Sequence, residues 1–154
     1  MVRNCDNEKD VSEIIPGLWL GNSKSAESRK FIEKYQIKYI INVTKEIPNF
    51  FENDGITYLK IPINDSDVCN IDIDHLFNDS YNFILNALKQ NLPILVHCKK
   101  GHHRSASLVA YFLIKYLNID YITSILYINK IRSCALTRNC CIMKALYKYY
   151  IENH

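Results

Sequence analysis

At 154 residues, with 48% apolar residues and a net charge of +3, the chain has the length of one domain and apolar content enough for a buried core. The charge is too small to argue for a nucleic-acid partner. The longest wholly apolar stretch, Leu108 to Ile114, is stopped by Lys115 far short of a membrane span, which argues against membrane insertion. The polar start MVRNCDNEKDV lacks the apolar run of a secretory signal, so the expected location is intracellular and cytoplasmic.

In chain order, residues 1–12 are expected to be a loose N-terminal segment, with one folded domain over 13–154. Glu13-Ile14-Ile15 and Leu18-Trp19-Leu20 flank the turn dipeptide Pro16-Gly17 and predict a hairpin. A helix is expected from Ser25 to Tyr35. Lys38 to Val43 is rich in branched and aromatic residues and predicts a buried strand. Ile56 to Ile63 predicts another, entered through Asn53-Asp54-Gly55. From Asp74 to Gln90 the residues Phe77, Tyr81, Ile84, Leu85 and Leu88 fall on one face of a 3.6-residue period. Pro93 to Val96 has the all-apolar composition of a central strand in a parallel sheet. Residues 105–117 are apolar nearly all round, which predicts a buried helix. Asp120 caps a helix running to Arg132 in this reading, and Thr137 one running to Ile151. The alternation predicts a single α/β domain: a central, mainly parallel sheet of about five strands with helices on both faces.

Six cysteines invite disulfides or a metal. There is no C-x2-C pair, and adjacent Cys140 and Cys141 cannot comfortably hold one tetrahedral ion. A chain of this size folds without staples, and a reducing compartment keeps thiols free. No metal, cofactor or disulfide is therefore expected, and Cys5, Cys69, Cys134, Cys140 and Cys141 are read as inert packing residues.

Cys98 is different. It opens the segment His97-Cys98-Lys99-Lys100-Gly101-His102-His103-Arg104-Ser105, between the strand at 93–96 and the buried helix. A loop passing from strand to helix turns backbone N–H groups inward, where they and the helix N-terminus attract an anion. The same field stabilises a thiolate at Cys98 and makes it nucleophilic. Gly101 permits backbone that a Cβ would obstruct. Arg104 can return to grip two phosphate oxygens with its fork. Ser105 can donate to the departing sulfur, and His97 suits fixing the loop better than acid–base work. Phosphate-ester cleavage also needs a proton donor for the leaving oxygen, and Asp65 and Asp67 are the candidates.

The pattern H-C-x-x-G-x-x-R-S resembles the signature loop of the cysteine-based protein tyrosine phosphatases, and in context the chain resembles a small dual-specificity phosphatase. The resemblance covers roughly residues 13–150. Ile15-Pro16-Gly17-Leu18-Trp19-Leu20-Gly21 is similar to the family's opening motif, and Ile40-Ile41-Asn42-Val43 to its first buried strand. Tyr58 to Asp65 resembles the strand that ends in the family's general acid. Counting forward from Tyr58, Asp65 takes that role; counting back from Phe77, Asp67 does, and strand register favours Asp65. The resemblance also implies that Arg132 and Asn139 brace the signature loop, although Arg138 replaces the family's proline. Cys69 lies near the acid loop, and a reversible bond with Cys98 is the weaker reading there.

The implied activity is hydrolysis of phosphotyrosine, phosphoserine and phosphothreonine in phosphorylated protein substrates. Lys99, Lys100, Gly101, His102, His103 and Arg104 bind the phosphate. His103 stands where most relatives have a small residue, and with Lys99, Lys100 and His102 it makes the loop unusually basic. Basic signature loops occur in relatives that act on inositol phosphates or phosphoinositides, which is the rival function. A catalytically dead phosphoprotein-binding module is the third reading. Whether a homodimer forms is not written in the sequence.

Overall fold

Four short segments of branched and aromatic residues lie parallel at the centre of the molecule. The computed structural model describes residues 5, 7–64, 72–137 and 140–154. Strand β1 (Val11–Ile15) turns back antiparallel onto β2 (Leu18–Gly21), while β2, β3 (Tyr39–Asn42), β4 (Thr57–Lys60) and β5 (Ile94–His97) run parallel. The five-stranded order is β1-β2-β5-β3-β4, so β5, the most apolar strand, sits in the middle. Register aligns Gly21, His97, Asn42 and Lys60 in one row across the carboxyl ends of the parallel strands. Loops leaving that row meet one another, and such an edge is where α/β sheets place their sites.

Strand alternation divides the core. Ile41 and Val96 face one side, packed with α3 (Ile73–Lys89), α4 (Arg104–Leu117), α5 (Tyr121–Ile131) and α6 (Cys141–Asn153). Ile40 and Leu95 face the other, against Ala26 of α1 (Ser23–Glu27) and Ile32 of α2 (Arg29–Lys34). Helix α4 is buried at every position from Arg104 to Ile114, as its all-round apolar sequence requires. Phe77 of α3 stacks on Tyr111 of α4 with centroids 4.9 Å apart, joining the two helices that cover the sheet. The mainly parallel α/β architecture with helices on both faces is the expected one. Among the described residues no helix is long and apolar enough to cross a membrane.

Local chemistry shifts several boundaries. The single helix expected from Ser25 to Tyr35 is two, because the Ser28 side chain accepts from the Phe31 N–H and restarts the helix. Helix α3 buries Leu76, Phe77, Ser80, Ile84 and Ala87, a face rotated away from the expected Leu85 and Leu88, which are only partly covered. Asp120 caps α5 as expected, accepting from Thr123 at 2.7 Å. Thr137 does not cap the last helix: its hydroxyl donates to the Cys134 carbonyl, and α6 begins at Cys141.

The cysteines need the largest correction. Cys5 and Cys134, expected as packing residues, form a disulfide across 129 residues of sequence. Cys141 is also disulfide-bonded, whereas Cys98 and Cys140 carry free thiols. The reason lies in topology. Strand β1 runs beside α5, with the Tyr127 hydroxyl donating to the Ile14 carbonyl at 2.9 Å, so the chain ahead of β1 passes over the turn that follows α5. The same path ties down part of the segment expected to be loose, since β1 starts at Val11 and the Lys9 carbonyl accepts from Arg132. A cross-link closing so long a loop contributes on the order of 5 kcal/mol in the chain-entropy account.

Candidate active site

The loop from β5 to α4 is held from outside by its carbonyl groups. The Lys99 carbonyl accepts from the Ser23 N–H at 3.0 Å, at the start of α1. Lys100 and Gly101 accept from the Arg132 guanidinium, through Nη2 at 3.2 Å and Nε at 2.9 Å. The His102 carbonyl accepts from the Leu136 N–H at 2.8 Å. Four successive carbonyls thus point outward, and a peptide plane that turns its carbonyl out turns its N–H in. The Gly101 N–H accordingly donates to Cys98 Sγ at 3.2 Å. Gly101 has φ +73°, and a Cβ there would lie 2.5 Å from the Gly21 carbonyl oxygen, so only glycine fits this approach.

Arg132 carries most of this support. It is 1% exposed, the largest fully buried side chain among the described residues, and its Nη1 also donates to the Lys9 carbonyl at 2.6 Å and to Ser12. Burial lowers its pKa, and the charges of Glu8, Cys98 and Asp10 oppose that shift. The family resemblance placed Arg132 at this loop, and here it bonds the Lys100 and Gly101 carbonyls. Arg132 lies just past the end of α5, in a turn that continues through Leu136, a non-glycine residue with φ +59°.

Cys98 is buried, with its sulfur 3.1 Å from the Ser105 hydroxyl on the first turn of α4. His97 Nδ1 lies 3.2 Å from the Cys98 carbonyl oxygen, which can only accept, so Nδ1 carries the proton. Burial, outweighing that hydrogen bond, and the charges of Lys60 and Arg104 lower the His97 pKa to about 4. At neutral pH the ring is uncharged.

Arg104 is 7% exposed and reaches away from its helix to the loops after β3 and β4. It donates from Nη1 to the Ile63 carbonyl at 2.9 Å and from Nη2 to Glu46 at 3.4 Å. Burial pushes the Glu46 carboxyl up, but its own backbone N–H and the Arg104 charge outweigh this and leave the pKa below its ordinary value. Glu46 rides on a loop held by a buried polar cluster. The fully buried Asn42 donates to the Ile47 carbonyl and to Asn49, and Thr44 bonds Asn42. Lys60 adds a 2.7 Å bond to the same Ile47 carbonyl.

Glu46, Asn42 and Thr44 were not legible as site residues. Glu46 sits in the sequence as one acid among many, and only the β5-β3 pairing lays its loop beside Arg104. A signal did exist: an asparagine ending an apolar strand is a buried polar group that needs partners.

The cavity above Cys98 has a volume of about 280 Å³. Lys99, Lys100, His102, His103 and Arg104 line it, with Thr137 and the Cys5–Cys134 bridge in its wall. No carboxylate lines it among the described residues. The expected Cys98, Lys99, Lys100, Gly101, His102, His103, Arg104, Ser105, His97 and Arg132 are therefore gathered in one place. Asp65, its rival Asp67, Cys69 and Asn139 lie outside the described residues.

A strand, an anion-cradling loop with a buried cysteine, and a helix begun by its arginine define a member of the cysteine-based protein tyrosine phosphatase superfamily. A family model for the dual specificity phosphatase catalytic domain matches residues 18–152, and the chain belongs to that family. It is 39% identical over 109 residues to human dual specificity protein phosphatase 6, covering 70% of this chain and 28% of that protein. Against dual specificity protein phosphatase Mpk3 of Drosophila melanogaster it is 41% identical over 109 residues, covering 70% and 26%. The chain thus spans little more than a quarter of the length of these curated relatives. In fold it is similar to the crystal structure of human DUSP28, with a TM-score of 0.84 over 94% of this chain and 95% of that one, at 19% identity.

His97 makes a stability prediction. Its pKa is about 6.5 unfolded and about 4 folded, so between these values the unfolded chain binds more protons. Stability is unaffected above pH 6.5 and falls as pH drops, by about 3 kcal/mol at and below pH 4. His97→Asn should flatten this acid limb in urea titrations from pH 7.5 to 4, whatever its stability at pH 7.5. An unchanged slope would assign the limb to other groups.

Proposed function

We propose that the chain is a protein phosphatase that hydrolyses phosphotyrosine and phosphoserine or phosphothreonine through a phosphocysteine intermediate, in a catalytic domain spanning residues 13–154. The observation that carries this reading is the buried Cys98 sulfur, which accepts the Gly101 N–H and lies 3.1 Å from Ser105 in a cavity lined by Lys99, Lys100 and Arg104. Cys98 attacks phosphorus, forming the S–P bond as the ester P–O bond breaks, and Asp65 protonates the departing oxygen. Inward amides and the Arg104 fork hold the equatorial oxygens, supplying the positive charge the transition state requires. Asp65 then takes a proton from water, whose oxygen bonds phosphorus as the S–P bond breaks. Ser105 donates to the leaving sulfur and releases inorganic phosphate. Neutral His97 fixes the Cys98 carbonyl and moves no proton. Asn139 is assigned to the bracing of the loop alongside Arg132.

A hollow of about 280 Å³ admits a phosphoryl group and the start of its linker, whether an aliphatic carbon or a ring, which supports dual specificity. Family membership favours phosphorylated protein substrates over inositol phosphates. The proposed location is intracellular and cytoplasmic, with no nucleic acid or membrane insertion involved.

Cys98→Ser should abolish turnover of an aryl phosphate while vanadate or phosphate binding survives, because serine has no nucleophilic anion near neutral pH. Activity in the parent should withstand EDTA. Residual turnover in the variant would remove Cys98 from its role, and a parent inactive under every condition would leave the binding-module reading. Asp65→Asn should lower kcat by on the order of 10²-fold for a poor leaving group and flatten the basic limb of the pH profile. Asp67→Asn should do much less, and the reverse order would move the general acid.

The basic rim should raise kcat/KM for phosphopeptides with acidic or second phosphorylated residues near the site, an advantage that salt weakens. Replacing Lys99 and Lys100 together by alanine should remove that preference and leave hydrolysis of both phosphotyrosine and phosphothreonine peptides. An advantage of about a hundredfold in kcat/KM for inositol phosphates over every peptide would replace the protein substrate with the rival one.

A further inference from the structure

The disulfide and the signature loop share a support. Cys134 lies between Arg132, which holds the Lys100 and Gly101 carbonyls, and Leu136, whose N–H holds that of His102. Its partner Cys5 belongs to a segment that crosses this turn on polar contacts. The Lys9 carbonyl accepts from Arg132 and Glu8 accepts from Ser133 at 3.1 Å, while Asp10 accepts from Asn22 at the start of α1. Apart from Cys5, the described residues between 5 and 10 are Asn7, Glu8, Lys9 and Asp10, none of which adds apolar burial. The covalent bond therefore joins this segment to the turn alongside the polar contacts of Arg132 with Lys9 and of Ser133 with Glu8. Both bridging residues also line the cavity above Cys98.

We propose that Cys5–Cys134 is a reversible thiol–disulfide site that regulates the phosphate pocket, a step that rests on the phosphatase reading above. With the bridge closed, the turn from Arg132 to Leu136 is pinned and holds the loop carbonyls outward, so the amides converge on phosphate. Opening it leaves Ala135 and Leu136 packed in the core but frees the segment that carries Glu8 and Lys9. The pocket loses part of its wall, and its loop is held less firmly. Opening requires a dithiol reductant. A thiolate attacks Cys5, whose side chain is less deeply buried than the 1% exposed Cys134. The mixed disulfide is resolved by the reductant's second thiol. Two electrons and two protons pass to Cys5 and Cys134, and the reductant leaves as its own disulfide. In the proposed intracellular setting such a bond is transient, which suits a switch better than a staple.

The test separates the bridge from Cys98. Protein with the bridge closed and Cys98 reduced, both established by alkylation and peptide mass, is titrated with dithiothreitol. KM for a small aryl phosphate and amide hydrogen exchange across residues 99–103 are followed against the closed fraction. Opening should raise KM about fivefold, with kcat moving less. Exchange in residues 99–103 should speed up by about tenfold. Cys5→Ser should show the open-bridge KM and exchange at every dithiothreitol concentration. Exchange and KM that ignore the state of the bridge would overturn the proposal, as would a Cys5→Ser variant that matches the closed parent. Faster exchange on opening in a protein that turns over no phosphate ester would support the coupling and defeat the phosphatase reading instead.

Discussion

Everything at this site depends on four consecutive peptide units facing the same way. Ser23, Arg132 and Leu136 hold the carbonyls of Lys99 to His102 outward, so the matching N–H groups have nowhere to point but the hollow above Cys98. A loop left to itself would scatter these dipoles, because converging N–H groups repel one another until an anion arrives. The cost of convergence is met by bonds made on the outer side of the loop. The guanidinium of Arg132 stays charged in the interior by spending its donors on four oxygen acceptors, those of Gly101, Lys100, Lys9 and Ser12.

A second polar assembly approaches from the opposite side. Asn42 ends β3 in the same row as His97, and its amide, together with Thr44 and Lys60, shapes the loop that presents Glu46 to Arg104. A buried arginine without an acceptor would be costly. The Ile63 carbonyl and Glu46 satisfy two of its nitrogens. The loop from β5 to α4 is thus gripped between the turn after α5 and the loops after β3 and β4. The rigid sheet register sets the distance between them.

The pocket's electrostatics follow from the same arrangement. Lys99 and Lys100, on a loop that already turns its amides inward, add to one sign of potential, and no described lining residue opposes it. His97 is kept out of that sum because it is buried beside Lys60 and Arg104 and so remains neutral. Its contribution is one hydrogen bond to the Cys98 carbonyl.

The cluster around Cys98 was legible in the sequence because it is local. Cys98, Gly101, Arg104 and Ser105 fall within one strand-to-helix loop, where spacing alone dictates who can face the sulfur. The all-apolar PILV strand and the helix after it announced themselves by composition, since burial on every side leaves no polar positions. Boundaries failed where a single hydroxyl competed with the helix, at Ser28 and Thr137. What only the tertiary structure decided is everything joined across the sheet. Glu46 meets Arg104 because β3 pairs with β5. Cys5 meets Cys134 because β1 lies beside α5. Contacts between residues so far apart in sequence leave no periodicity and no spacing. They arise from strand order and register, which the packing of the whole core selects.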